Sequence, residues 1–204
     1  MTVKSRKLEQ SQATRAALIK TARKLFARNG YADTDIETVA RRTRVTRGAL
    51  YHHFKDKQDL FSAVFDLEEQ ALTSMVAQAA GTEAAPFDGM LAGCNAFLDA
   101  CLDPAVQRIV LIDALAVLGW DRWREIDAKY NLSLVMAALQ AAMDQGVIAR
   151  GPVESLAHLL MGAITEAAIC IAHAADKPAA RRQVGENVAQ LLSGLRIDNR
   201  TGES

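Results

Sequence analysis

The residues with the clearest chemical purpose lie in a short predicted helix, residues 47–53. It begins with a cation, Arg47, and carries the ring of Tyr51 and the imidazoles of His52 and His53. A guanidinium can bind phosphates or base edges in a DNA groove, and aromatic and imidazole groups can add contacts to either. These residue types on one short helix indicate a DNA-binding segment.

Two preceding helices must position this segment. Residues 14–29 carry an apolar stripe at helical spacing, which predicts the first of them. The second opens at a Thr-Asp-Ile-Glu capping box, in which Thr34 is expected to cap the helix and Glu37 to reach back. It is predicted to break near Arg44, and Thr46 is predicted to cap the following helix. Three helices with such a turn predict a helix-turn-helix domain.

The charge of the chain is distributed unevenly. The sequence has 24 Lys and Arg against 24 Asp and Glu, yet residues 1–60 carry 14 basic and 6 acidic residues, and residues 61–204 carry 10 and 18. A basic N-terminal part beside an acidic remainder indicates a polyanionic partner for the first part only. Because no glycine-rich phosphate loop, nucleophile elbow or metal-ligand cluster occurs, we expect neither an enzyme nor a bound cofactor or metal.

Helical patterns continue along the rest of the chain. Half of the residues are hydrophobic, proline is scarce and no segment alternates with period two, so an all-α fold of about nine helices is expected. We divide the chain into a flexible basic arm (1–13), the helix-turn-helix domain (14–60) and a second helical domain (61–200). The polar N-terminus, the lack of a charge-free apolar stretch and the three cysteines predict a cytoplasmic protein with free thiols and no membrane span.

Several short motifs resemble the DNA-binding domain of the tetracycline-repressor (TetR) family of bacterial transcriptional regulators. They are Phe-Ala-Arg-Asn-Gly-Tyr at 26–31, Val-Thr-Arg-Gly-Ala-Leu-Tyr-His-His-Phe at 45–54, and Lys-Gln-Asp-Leu at 57–60. The rest of the chain resembles the family only in architecture, a helical ligand-binding and dimerisation body. The resemblance implies a repressor that binds a palindromic operator as a homodimer and is released by a small-molecule effector.

The resemblance also implies roles for individual residues. Thr34, Thr46 and Lys57 would bind phosphates, and Tyr51 and His52 would contact phosphate or base edges. The first helical residues to enter the major groove would be Arg47, which can pair with guanine, and Gly48, which lets the backbone approach closely.

Arg44 is a further candidate DNA contact because of its charge and its position in the turn. It stands where many family members carry glycine. A left-handed conformation would cost an arginine about 1 kcal/mol or more, so the turn is expected to be differently shaped here.

The last two helices are apolar on more than one face. Their apolar surface is larger than one chain easily covers. We therefore predict the dimer interface there, at Leu156, Leu160, Ile164, Ala168, Ile171, Val188, Leu191, Leu192 and Leu195.

Polar side chains on otherwise apolar helices are the clues to an effector pocket. A buried carboxylate must be paired. Asp113 and Glu166 therefore form salt bridges, with Arg108, Arg122 or Arg124 as candidates, or make a hydrogen bond at an interface, or contact the ligand. Three further side chains either line an apolar pocket or belong to the core, namely Trp120, Trp123 and Met136.

Two alternatives to a repressor remain open at this stage. One is an activator of the same family. The other is a helical interaction module that has no specific operator, against which the basic N-terminal part argues.

Overall fold

The computed structural model describes residues 3–197, with side chains from residue 6 onward. Within this range the chain is helical, and one antiparallel bridge joins Ile148 to Arg196. The all-α prediction is confirmed. The α-helices are α1 (Val3–Asn29), α2 (Ile36–Thr43), α3 (Arg47–His53), α4 (Lys57–Ala80), α5 (Pro86–Ala100), α6 (Pro104–Val106), α7 (Ala114–Asp127), α8 (Ser133–Asp144), α9 (Val153–His173) and α10 (Lys177–Ser193).

Helix α1 is longer than predicted. It begins at Val3 and continues to Asn29, so residues 3–13 of the predicted flexible basic arm are helical. Residues 7–13 lack an apolar stripe, but Lys, Leu, Glu, Gln and Ala favour helix. Extending an existing helix adds one backbone hydrogen bond per residue without a new nucleation step.

Contacts group the chain into two compact units. The first comprises Met1–Glu68 and Pro104–Trp123, and the second comprises Glu69–Asp103 and Arg124–Ser204. The sequence prediction divides the chain once, at residue 60. In the structure, residues 104–123 also pack with the N-terminal helices. Helix α4 crosses the boundary between the units.

The first unit has an aromatic core. The rings of Phe26 and Phe61 meet edge to face at 5.1 Å, and Tyr31 meets Phe61 edge to face at 5.3 Å. Leu50 and Phe54, at 1 % and 2 % exposure, point inward as predicted. The burial of Leu50 and Phe54 defines the inner side of α3, and the opposite side of this helix lies at the surface.

Two irregular features mark the segment 104–123 of the first unit. Gln107–Asp113 is π-helical, a rare geometry that is frequent at functional sites. Gly119 then interrupts α7 with φ 75° and ψ 166°, a conformation that side chains rarely adopt.

The second unit packs α5, α8, α9 and α10 around an apolar core. A second π-helical stretch, Ala128–Leu132, precedes α8. Of the described residues, α9 alone has the length and composition that could cross a membrane, with a mean hydropathy of 1.6 over 18 residues. Core helices of soluble proteins meet the same criterion, and α9 carries Glu166 beyond its midpoint. The side chains with the least exposure in this unit include Leu98, Ile126, Leu139, Ile148, Ile171 and Leu192.

Candidate nucleic-acid interface

Asp35 defines the start of α2. Its carboxylate accepts hydrogen bonds from the backbone N–H groups of Glu37 and Thr38, both at 3.1 Å. The bond from Glu37 is the main reason why the pKa of Asp35 is lowered. The predicted cap at Thr34 is therefore wrong by one residue.

Thr34 is instead part of the buried structure. It is 2 % exposed, and its hydroxyl donates a hydrogen bond to the carbonyl of Gly30 at 2.7 Å. A hydroxyl that is buried and bonded in this way cannot reach a phosphate, so we remove Thr34 from the set of DNA contacts.

The turn between α2 and α3 passes through a left-handed arginine. Arg44 has φ 61° and ψ 38°, and Val45 donates its N–H to the carbonyl of Ala40 at 3.1 Å. The expectation of a differently shaped turn is wrong, because Arg44 accepts the conformation that glycine would adopt freely. Its side chain is exposed.

Helix α3 presents its first turn at the surface. Thr46 caps it as predicted, since its hydroxyl accepts a hydrogen bond from the N–H of Ala49 at 3.1 Å. The Arg47 side chain is 69 % exposed and forms an ion pair with Glu37 at 2.7 Å. Its guanidinium also lies 5.5 Å from the ring centre of Tyr51. An exposed pair of this kind is weak, so DNA can compete for the arginine.

Gly48 lies next to Arg47 with its backbone exposed. A Cβ atom there would meet no side chain nearer than the Thr46 hydroxyl at 4.0 Å. The fold itself therefore does not require glycine at this position, and the open backbone leaves room for a close partner.

Two imidazoles follow at the end of α3. His52 is exposed, and its ring lies 5.4 Å from that of His53. Burial, followed by the charges of His52 and Arg15, lowers the pKa of His53. The guanidinium of Arg15 lies 5.2 Å over the Phe54 ring, so α1 adds a cation beside this end of α3.

Lys57, at the start of α4, is held in a defined position. Its ammonium donates to the carbonyl of Ala32 at 3.0 Å and lies 4.4 Å over the ring of Tyr31. Burial, with the charge of Asp56, raises the pKa of the Tyr31 phenol. An ammonium has three N–H donors, so these two contacts leave capacity for a phosphate.

This geometry agrees with comparisons of the sequence. Residues 18–64 match the family described as "Bacterial regulatory proteins, tetR family". Residues 87–195 match the "Tetracyclin repressor-like, C-terminal domain". The chain belongs to the TetR family. It is a transcriptional regulator with a DNA-binding helix-turn-helix, and it is not an enzyme.

Individual relatives support this assignment over most of the chain. A crystal structure of a TetR-family regulator from Pectobacterium atrosepticum is 35% identical, with a TM-score of 0.83 over 94% of this chain and 98% of that one. The Transposon Tn10 TetC protein of Escherichia coli is 27% identical over 78% of this chain and 80% of its own. The probable acrEF/envCD operon repressor of Escherichia coli K12 is 38% identical over 36% of this chain and 34% of its own.

The two carboxylates predicted as pocket or salt-bridge groups differ in their surroundings. In this TetR-family chain, Asp113 is 9 % exposed. It accepts hydrogen bonds from the N–H of Tyr31 at 2.8 Å and from Nε of Arg108 at 3.1 Å. The salt-bridge alternative is therefore confirmed for Asp113. Glu166 is exposed, so the prediction that it is buried is wrong, because it lies on the outer side of α9.

The predicted aromatic and methionine pocket residues lie in two different compact units. Trp120 is 60 % exposed, and its ring lies 5.5 Å from that of Trp123. Trp120 and Trp123 belong to the first unit and Met136 to the second. Trp123 and Met136 are half-buried.

Most of the residues predicted at the dimer interface are covered within a single chain. The most apolar side of each helix packs into the core of its own chain. Five of the nine predicted residues are buried there: Leu160, Ala168, Ile171, Val188 and Leu192. These five are corrected to core residues. Leu191 is 52 % exposed, and three others are half-buried, Leu156, Ile164 and Leu195.

A partly buried polar network in the second unit was missed by the sequence reasoning. Asn131, in the second π-helical stretch, donates to Glu69 at 2.8 Å and to Asp127 at 3.0 Å, and accepts from Thr73 at 2.7 Å. Burial is the main reason why the pKa of Asp127 is raised. Only the polar character of residues 127–131 within a helical pattern could have signalled it.

Proposed function

We propose that this regulator is a cytoplasmic repressor that binds a palindromic operator as a homodimer and is released by a small-molecule effector. The observation that carries the DNA-binding part is the exposed first turn of α3. There Arg47 and Gly48 stand at the surface, on a helix whose other side is locked by Leu50 and Phe54. The similarity to a protein named as a probable operon repressor supports repression rather than activation.

The DNA contacts proposed are the exposed or partly exposed groups around α3. A guanidinium in the major groove discriminates guanine by about 1–3 kcal/mol, which is the role proposed for Arg47. Phosphate contacts position the helix and carry no sequence information. The proposed positioning residues are Arg44, Thr46, Tyr51, His52 and Lys57.

In-vitro selection from a random duplex library tests operator binding. A palindrome with half-sites about one DNA turn apart is the expected result. In the recovered site, Arg47→Ala should relax the sequence preference at one position of each half-site. Lys57→Ala should weaken all sequences equally and reduce the salt slope by about 1 for each protomer bound. Recovery of no consensus would refute a specific operator.

The proposed dimer surface is the exposed side of α9 and α10. Leu159 and Leu191 are 72 % and 52 % exposed, and Gly162 and Ala163 lie at the surface near Leu159. Small residues beside exposed leucines suit close packing of two symmetric helices. An exposed apolar stripe of this kind marks an interaction surface.

Sedimentation equilibrium tests the dimer. Leu159→Glu should convert a micromolar dimer into a monomer. The matched control is Leu115→Glu, since Leu115 is 48 % exposed but lies on α7, so this variant should remain dimeric. A wild-type monomer at micromolar concentration would contradict the proposal.

The effector part of the proposal rests on the family and on a groove in the second unit. TetR-family regulators bind small-molecule ligands. The groove has a volume of about 250 Å³ and is lined by Met143, Ala149, Gly151, Pro152, Ser155, Leu156 and Leu159. Leu159 also belongs to the proposed dimer surface, so the groove is not assigned to the effector.

Intrinsic fluorescence offers a direct search for the effector. The chain has two tryptophans, both in the segment 104–123. Titration with a library of small apolar and aromatic compounds should change this emission, and the same compound should release the selected duplex. A compound that changes the emission but leaves operator affinity unchanged would not be an effector.

A further inference from the structure

The sequence match and the contacts place the segment 104–123 in different parts of the molecule. By sequence it lies inside the region matched by the C-terminal domain family, residues 87–195. By contact it lies in the compact unit that contains the helix-turn-helix. The segment therefore packs in the same compact unit as the DNA-binding helices.

Asp113 links this segment to the residues that follow α1. Its Oδ2 accepts the N–H of Tyr31 at 2.8 Å and Nε of Arg108 at 3.1 Å. The Arg108 guanidinium is packed so closely on Gly30 that a Cβ there would lie 1.9 Å from Nη2. Asp113 and Arg108 together contact the backbone at Gly30 and Tyr31, where α1 ends.

Tyr31 carries this link to the candidate DNA contact. Its ring is fixed between Phe26, 5.9 Å away, and Phe61, 5.3 Å away. The same ring receives the ammonium of Lys57 at 4.4 Å, and that ammonium donates to Ala32, the next residue, at 3.0 Å. Asp113 therefore holds, through the Tyr31 N–H, the same short backbone segment that Lys57 contacts at Tyr31 and Ala32.

We propose that Asp113 is a positioning residue for DNA binding, which acts through Tyr31 to hold Lys57 ready for a phosphate. A lysine that is already ordered loses less side-chain entropy when it binds. This proposal rests on the proposed operator binding. It assigns the positioning of the Lys57 side chain to a residue of the segment 104–123.

The position of Asp113 depends on an irregular helical stretch. Asp113 is the last residue of the π-helical stretch Gln107–Asp113. A π-helix holds more residues per turn than an α-helix, so this winding sets the direction in which the Asp113 side chain leaves the helix.

A double-mutant cycle on the full-length protein tests the proposal. The equilibrium dissociation constant for the duplex recovered by selection is measured over a range of salt for wild type, Asp113→Asn, Lys57→Ala and the double variant. We expect each single variant to weaken binding about tenfold and to reduce the salt slope by about 1 for each protomer bound. The double variant should be no weaker than Lys57→Ala alone.

Two further variants separate positioning from general loosening. Glu68→Gln breaks another buried carboxylate–arginine pair of the same unit, that with Arg23, without touching Tyr31. It should lower the melting temperature and leave the salt slope unchanged. Tyr31→Phe keeps the ring under Lys57 and should bind as wild type does, whereas Tyr31→Leu should behave like Lys57→Ala.

Additive effects of Asp113→Asn and Lys57→Ala, an unchanged affinity for Asp113→Asn, or an equal loss of salt slope in Glu68→Gln would each overturn the proposal. If Asp113→Asn does not fold, the cycle of Tyr31→Leu with Lys57→Ala decides in the same way. A wild-type protein that selects no sequence would overturn the proposed function and this inference with it. A wild type that selects an operator, with an additive cycle, would overturn the inference alone.

Discussion

Glu68 and Glu69 are consecutive residues of α4, and both are buried, at 3 % and 5 % exposure. Glu68 accepts two hydrogen bonds from Arg23, one of them between Nη2 and Oε2 at 3.1 Å. Glu69 accepts a hydrogen bond from Asn131 at 2.8 Å. The boundary between the two compact units falls between these two residues. Each unit therefore contains one buried carboxylate of α4, satisfied by partners from its own side.

The Arg23–Glu68 pair should matter far more to stability than the exposed pair of the helix-turn-helix. Arg23→Met leaves a buried carboxylate without its cation, and the free energy of unfolding should fall by about 3–5 kcal/mol. Glu37→Gln breaks the exposed pair with Arg47 and should change the free energy of unfolding by about 1 kcal/mol or less. Urea unfolding of both variants measures the difference, and equal effects would contradict the assigned burial.

Gly30 should be intolerant of any side chain. Gly30→Ala places a Cβ 1.9 Å from Arg108 Nη2 at a φ of 79°, so the variant suffers both backbone strain and a clash. Gly146→Ala is the matched control, because its φ is 68° and nothing lies within 4 Å. The control should lose about 1 kcal/mol of stability from strain alone, and Gly30→Ala should lose clearly more. Thermal unfolding compares the two, and similar losses would show that Arg108 moves aside without penalty.

Arg44→Gly should raise stability while it weakens DNA binding. Glycine adopts the left-handed conformation found at Arg44 without the side-chain penalty, so a gain of up to about 1 kcal/mol is expected. Arg42→Gly, inside α2, should instead lose about 1 kcal/mol. Both variants remove one cation beside α3, so melting temperatures separate the backbone effect from the charge. A destabilised Arg44→Gly would mean that the arginine side chain makes a compensating contact.

Asp35 should support α2 in a pH-dependent way. The pKa of Asp35 is lowered in the folded protein, so its stabilising contribution is present above the ordinary value of 3.8 and is lost as the pH falls through the folded pKa. At neutral pH, Asp35→Ala should cost about 1 kcal/mol. The difference between wild type and Asp35→Ala should shrink toward pH 3 in urea unfolding. A difference that stays constant with pH would exclude the ionised cap.

Local signals in the sequence were enough to find the DNA-binding helices. A cap at Thr46, apolar Leu50 and Phe54, and cations around them are short-range patterns, and each determines a helix start, a buried side or a charged surface without help from distant residues. The glycine at position 30 ended α1 for the same reason. Family motifs in residues 26–60 made the same region recognisable.

Burial and long-range pairing were decided only by the tertiary structure. Asp113 and Glu166 look alike in sequence, as single acids in apolar helices, yet one is clasped by Tyr31 and Arg108 and the other lies at the surface. The apolar residues of α9 and α10 could not be divided into core and interface, because helical periodicity does not say which side meets a neighbour of the same chain.

The sequence by itself thus determined an all-α fold and the short helix that is the candidate DNA contact, because caps, periodicity and charge act over a few residues. The TetR family was indicated by the resemblance of the motifs. The tertiary structure decided that residues 104–123 pack with the DNA-binding helices and that Tyr31 joins Asp113 to Lys57. Those contacts connect residues between 26 and 82 positions apart, and no local pattern specifies which of many possible partners a folded chain brings together.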